Sequence, residues 1–356
     1  RMAKNNKGHD FLRQSRPWDN NNNNIWLAST INLSRNIEKI PFPPKLSKDR
    51  RLQIISLVSK TLLHSTSLKN PYLIKIEDVG PNEKEYFVEH FLSPHSFHQA
   101  HSGEAFIIDD TGEFLAILNL NNHIQFELID CKGELETAWN LMVKIETELG
   151  KSINFSFSSK FGFLTADPAI CGTGFILTVY LQPSALIHTG KFEETLERIK
   201  YPGVSLEGIQ GDRKSLIGDV VTIRNTYTLG LTEENIISSL RLFTTKLLVE
   251  ESSVRSHLRQ EENMEVKDKV SRAFGVLIHS YQIETIEALN SISLLKLGAD
   301  LGWLKGVTAA DLNKLFFNCR RAHLLANFGK EISQYELSHK RAEFIHQTLK
   351  NSFLAV

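Results

Sequence analysis

The sequence carries no excess charge of either sign: 41 Lys and Arg stand against 41 Asp and Glu in 356 residues. Without a basic surplus there is no global field to draw nucleic acid or an anionic membrane, and no such partner is expected. Cysteine is scarce. Cys131, Cys171 and Cys319 are far apart, odd in number and form no CxxC, which excludes a disulfide framework or a cysteine zinc site and suits a reducing cytoplasm. No apolar run reaches the roughly 18 residues of a membrane span. The basic N-terminus is followed by no apolar core, so no signal peptide is expected. What remains, 41% hydrophobic and 23% charged, is the composition of an ordinary globular chain with room for two domains.

Polarity and periodicity divide the chain. Residues 1–24 are polar, with a run of asparagines from Asn20 to Asn24, and read as a disordered leader. From 25 to 252 strand and helix signals mix. GEAFIIDDTGEFLAILNLNNHIQFELID reads as strands parted by turns at Asp110-Thr111-Gly112 and Asn121-Asn122. Alternation of Ile124, Phe126 and Leu128 gives the last strand one buried face, as in antiparallel pairing. Leu135, Trp139, Met142, Ile145 and Leu149 recur at helical spacing up to Gly150, and Thr232 caps a helix whose stripe is Ile236, Leu240, Phe243 and Leu247. Residues 253–356 read as all helical. Thr308 with Asp311 and Ser333 with Glu336 mark helix starts, Gly298 and Gly329 mark stops, and the last helix runs to about Ser352 with a core stripe of Tyr335, Phe344, Ile345 and Leu349.

Four segments stand out. They are ASTINLSRNIEKIPFP (Ala28 to Pro43), LNLNNHIQFE (Leu118 to Glu127), FGFLTADPAICGTGFILTVYLQPSAL (Phe161 to Leu186) and EGIQGDRKSLIGDVVTIRNTYTLG (Glu207 to Gly230). In this order they resemble the motifs of the ATP:guanido phosphotransferases, and within them the bacterial protein arginine kinases of the McsB type. SRAFGVLIHSYQIETIEAL and LLKLGADLG extend the resemblance to about residue 350. It implies an α+β fold, with a guanido-kinase-like antiparallel sheet flanked by helices followed by an all-helical C-terminal domain. It also implies transfer of the γ-phosphate of Mg·ATP to a guanidinium. Such enzymes hold the triphosphate with arginines, whose charged forks suit phosphate oxygens, and catalyse mainly by alignment and charge neutralisation.

Carried over residue by residue, the chemistry is missing. The phosphate-binding arginines of the first motif fall on Thr30 and Asn32; only Arg35-Asn36 remains of that motif's Arg-Asn pair. His123 matches a position beside the nucleotide base, but the next arginine falls on Gln125, and two further ones fall on Ile176 and Glu207. The paired glutamates fall on Leu120 and Asn121, the reactive cysteine on Asp167 and a downstream glutamate on Ser215. The fold residues Gly162, Pro168, Gly172, Gly174, Pro183, Gly208, Gly211, Gly218, Asn225 and Gly230 are kept. In the C-terminal domain the phosphoarginine-site pattern RDxxRAxxIR becomes LSHKRAEFIH, leaving Arg341 as a remnant.

Magnitudes decide what this means. Losing one partner of a buried charge pair costs roughly 2–5 kcal/mol, whereas ATP held at about 0.1 mM is worth only about 5.5 kcal/mol. Two such losses nearly abolish binding. The expectation is therefore a pseudokinase with no cofactor and no metal, acting as a scaffold. By resemblance its partners are a second copy in a homodimer, a McsA-like activator and the Clp machinery. Two alternatives stay open. One is an active guanidino kinase whose Mg·ATP site is rebuilt from Asp167, Glu207, Arg213 and Lys214. The other is an arginine or guanidino-compound sensor using Asp167 and Glu207.

Overall fold

The computed structural model describes residues 15–97, 102–261, 263–328 and 332–355. In chain order the elements are β1 Trp26–Arg35, α1 Lys48–Leu62, β2 Tyr72–Lys75, α2 Pro81–Phe91, β3 Ala105–Ile108, β4 Phe114–Leu118, β5 Ile124–Asp130, α3 Leu135–Gly150, β6 Phe157–Ser158 and β7 Gly162–Phe163. There follow β8 Phe175–Leu181, α4 Ser184–His188, α5 Phe192–Ile199, β9 Val204–Gly208, β10 Val221–Asn225 and the long α6 Glu233–Gln260. The C-terminal region holds α7 Met264–His279, α8 Thr285–Asp300, β11 Leu304–Lys305, α9 Ala309–Asn318, α10 Arg321–Phe328, α11 Gln334–Leu349 and β12 Phe353–Leu354.

Eight strands form one sheet in the order β2-β3-β4-β5-β1-β8-β10-β9, antiparallel at every pairing. The hairpins follow the turn chemistry: Gly112 has φ 68°, and a Cβ there would meet Ser15 O at 2.2 Å. Side chains alternate across the sheet. Ile31, Leu33, Phe126, Leu177 and Ile223 pack under α1, α3, α5 and α6. On the opposite face Phe106, Ile108, Leu115, Ile117 and Ile129 share a second cluster with α2 and the C-terminal helices. Every residue of β5 is buried, so the one-sided burial expected from its alternation is replaced by cover on both faces.

The expected caps at Thr232, Thr308 and Ser333 are present, and none of the three cysteines is bonded to another. Several expectations are corrected. Residues 1–14 of the expected leader lie outside the described residues, but 15–24 are ordered: Trp18 is wholly buried, stacked on Phe317 at 4.2 Å. Helix α6 runs unbroken through residue 252 to Gln260, still burying Val254, Arg255 and Leu258, so the change of character near 252 falls inside one helix. Gly298 lies inside α8, where a Cβ would strike Val270 Cγ1 at 2.5 Å, so it serves close helix packing; Gly329 is outside the described residues. Tyr335 is 89% exposed, and the stripe of α11 that reaches the core is Ile345 and Leu349, with Phe344 partly buried beside them. The helical region shares its apolar core with one face of the sheet.

Candidate functional site

Between the polar part of that second face and the end of α2 lies a cavity of about 480 Å³. The sheet supplies its floor: Gln125 and Glu127 from β5, Thr30 and Asn32 from β1, Ile176, Thr178 and Tyr180 from β8, Thr222 and Arg224 from β10, Ser205 and Glu207 from β9. Their order is set by register. Glu127 lies opposite Asn32, Asn32 opposite Ile176, and Thr178 opposite Arg224. The loop after α2 contributes Ser93 and His95, the Gly-Thr-Gly loop contributes Asp167, and Arg320 enters from the C-terminal region.

Of the positions matched to phosphate or guanidinium chemistry, the cavity therefore gathers Thr30, Asn32, Gln125, Asp167, Ile176 and Glu207. It does not gather the others. His123 is buried and spent: Nδ1 accepts from Ile37 N (2.9 Å), and Nε2 is 2.9 Å from Pro41 O. Leu120 and Asn121 sit in the β4–β5 turn and Ser215 in an exposed loop, none of them on the cavity wall. Arg213 pairs with Glu193 at 2.6 Å, and neither it nor Lys214 lines the cavity. Arg341 is buried, its guanidinium donating to Cys319 O and Ile283 O at 2.8 Å each, which makes it a tie between helices.

The Gly-Thr-Gly loop keeps its shape through neutral and structural contacts. Gly172 has φ 111°, and a Cβ would meet Thr228 O at 2.3 Å; at Gly174 it would meet Ser34 O at 2.7 Å. Arg35 is buried against Glu146, donates to Ser34 O and Thr173 O at 2.8 Å and lies 3.6 Å from the centre of the Phe163 ring. Asn36 donates to Asn122 Oδ1 (2.7 Å) and Leu164 O (3.0 Å). The surviving Arg-Asn pair thus braces the loop. Asp167 is exposed and caps the short turn after it, accepting from Ala169 N at 2.9 Å.

The strongest electrostatic feature was not singled out from the sequence. Glu127 Oε1 accepts from Ser93 Oγ (2.9 Å) and Asn32 Nδ2 (3.2 Å), and burial pushes its carboxyl up to about 8 against the Ser93 hydrogen bond. Burial lowers His95 to about 4, so Gln125 donates to a neutral ring, Nε2 to Nε2 at 2.7 Å. Burial raises Tyr180 to about 12, its hydroxyl donating to Leu92 O (3.2 Å). Arg224 is exposed on the wall. Arg320 is buried, with Nη2 donating to Glu89 O at 2.5 Å. The signal for Glu127 was available as two polar residues, Gln125 and Glu127, alternating with Ile124, Phe126 and Leu128. Arg320 is brought in from the turn between α9 and α10, distant in the chain, and has no local signature.

Mg·ATP does not fit this floor. A triphosphate needs charged forks, and β5, β1 and β8 present Gln125, Thr30, Asn32 and Ile176 to the cavity in place of arginines.

Comparison with known proteins gives the lineage of this cavity. The model of the ATP:guanido phosphotransferase C-terminal catalytic domain matches residues 53–254, and that of the protein-arginine kinase McsB C-terminal domain matches 263–353. A protein-arginine kinase of Chlamydia pneumoniae is 33% identical over 335 residues, 92% of each chain. One from Halothermothrix orenii is 34% identical over 329 residues, 91% of this chain and 93% of the other. Among solved structures, lombricine kinase superposes with TM-score 0.56 at 17% identity, over 70% of this chain and 76% of that one. The duplicated taurocyamine kinase of Schistosoma mansoni with bound transition-state-analogue components gives 0.58 at 20% identity, over 76% of this chain and 40% of that one. These two likenesses bear on the fold alone.

Proposed function

The chain belongs to the ATP:guanido phosphotransferase family and carries the McsB-type C-terminal domain, and from that premise we propose that it is a catalytically inactive member, a pseudokinase that works as a scaffold or regulator in protein arginine phosphorylation and the Clp-type stress response. The observation that carries this reading is the cavity floor, where Thr30, Asn32, Gln125, Ile176 and Glu207 stand at the family's arginine positions and a buried Glu127 lies among them. Burying the negative charge of a triphosphate beside acceptors costs several kcal/mol, more than a millimolar ligand recovers.

Under this reading the protein is cytoplasmic, needs no cofactor or metal, and acts through its surface on a second copy, a McsA-like activator or the Clp machinery. No helix among the described residues is long and apolar enough to cross a membrane. An active site rebuilt on Arg213 and Lys214 draws no support, since both stand away from the cavity. Calorimetric titration of the full chain with Mg·ATP tests the proposal: no binding heat up to millimolar nucleotide is expected. Saturable binding, or transfer of γ-phosphate to protein arginines or free arginine, would overturn it. Light scattering and a pull-down test the scaffold half, which a strict monomer that recovers no partner would sink.

A further inference from the structure

The two ends of the cavity carry opposite chemistry. At the β5 end Gln125 Oε1 and Glu127 Oε2 are buried and unpaired among the described residues. Buried polar atoms without a partner cost the folded protein stability, so a ligand that brings N–H groups recovers what the free protein lacks. At the β10 end Arg224 lies on the wall, exposed and in no ion pair among the described residues. Its partner across the ladder is Ser205, and the diagonal Glu207, opposite Thr222, makes no ion pair with it. Tyr180 stands between the ends and feels the charges of Glu127, Arg224 and Arg320 together. The remaining neighbours of Glu127, namely His95, Ser93 and Asn32, are neutral under ordinary conditions.

We propose that this cavity binds a small zwitterion, an extended molecule with a protonated amine at one end and a carboxylate at the other, the amine meeting Glu127 and Gln125 and the carboxylate meeting Arg224. Geometry sets the length. Strands β5 and β10 are separated by β1 and β8, three spacings of about 4.8 Å, or about 14 Å between backbones. The ligand's charges must therefore sit at the two ends of a chain rather than on one carbon. A cation facing Glu127 favours the ionised carboxylate, and the Arg224 fork takes a carboxylate with paired N–H groups. Neither end alone selects the molecule; both together reject a diamine and a fatty acid. The proposal rests on the reading that the cavity has given up the nucleotide.

The test is calorimetric titration of the full chain at pH 8 with 6-aminohexanoate, with cadaverine (no carboxylate) and with hexanoate (no amine). The zwitterion is expected to bind, and each half-molecule to bind at least tenfold more weakly. Glu127→Gln and Arg224→Ala should each weaken the zwitterion at least tenfold while the protein still melts cooperatively. The proposal is overturned if the zwitterion produces no heat, if cadaverine or hexanoate binds as tightly, or if both variants bind it like the unmodified chain. An Mg·ATP titration run alongside separates the two failures. Heat with Mg·ATP sinks the pseudokinase reading, whereas silence from both ligands sinks only this proposal.

Discussion

Glu127 concentrates the chemistry of the molecule in one side chain. A carboxyl raised from 4.5 to about 8 in the folded state keeps its proton where the unfolded chain has lost it. The folded protein then binds more protons than the unfolded one between those two values, so stability is full below about pH 4.5, falls as pH rises towards 8 and is flat above. Replacing Glu127 by Gln removes that penalty and keeps the shape. Thermal melts at pH 5 and pH 8 should show the variant gaining on the natural protein at the higher pH, by on the order of a few kcal/mol. An equal difference at both values would mean the carboxyl is already ionised. His95 acts in the opposite sense: lowered to about 4, it costs stability only as pH falls from 6.5 towards 4. Asp167 sets a contrasting residue-scale expectation. Asp167→Cys returns a thiol to the family's position, yet Thr30, Asn32, Gln125, Ile176 and Glu207 still offer the triphosphate no forks. Because positioning supplies most of the rate in phosphoryl transfer, neither form should label protein arginines or free arginine from radiolabelled Mg·ATP. Activity in the variant alone would show that the site was one residue from function.

At the scale of elements, local chemistry was readable where the chain decides locally. Thr232, Thr308 and Ser333 start their helices as their spacing demands, and α3 buries the five residues of its apolar stripe. The absent arginines were legible too, because a motif position is a place in the chain. What escaped is what distant contacts decide. Gly298 looks like a stop until Val270 is seen against it, and β5 reads as one-sided until the cavity and the C-terminal helices cover its other face. The turn at Pro17–Asn20 is the clearest case. Among polar neighbours Trp18 reads as a leader residue, yet its ring is wholly buried, stacked on Phe317, with Nε1 donating to Asn318 Oδ1 at 3.2 Å. Trp18→Ala should therefore cost about 3–5 kcal/mol, seen as a lower midpoint in urea. An unchanged midpoint would return residues 15–24 to the status of a solvated arm.

On the scale of the whole molecule, the two matched regions behave as one body around the sheet. Glu89 on α2 accepts from the backbone N–H groups of Ala322 and His323 at 3.1 Å, and its neighbour Glu85 pairs with Arg321. On the other side, α8 reaches the 217–219 turn through Asn290 Oδ1, which accepts from Gly218 N at 2.6 Å, and Ser293 Oγ, which donates to Asp219 Oδ2 at 2.6 Å. Below them Arg255 on α6 pairs with Glu251 (2.7 Å) and with Asp300 of α8 (3.1 Å). These ties sit on a shared apolar cluster in which Tyr86, Phe87, Phe106, Ile108 and Leu115 meet Leu289, Ile292, Phe316 and Phe317. A chain ended after residue 261 would expose that face of sheet and α2 to water. At about 25 cal/mol per Å² of apolar surface, and with uncovered apolar patches promoting association, the shortened chain should self-associate and lose its cooperative melt. Light scattering and calorimetric melting of the two lengths check this. A monomeric 1–261 chain melting cooperatively near the full-length temperature would mean that the helical region is a passenger, and that Arg320 reaches the cavity by accident of packing rather than as part of its wall.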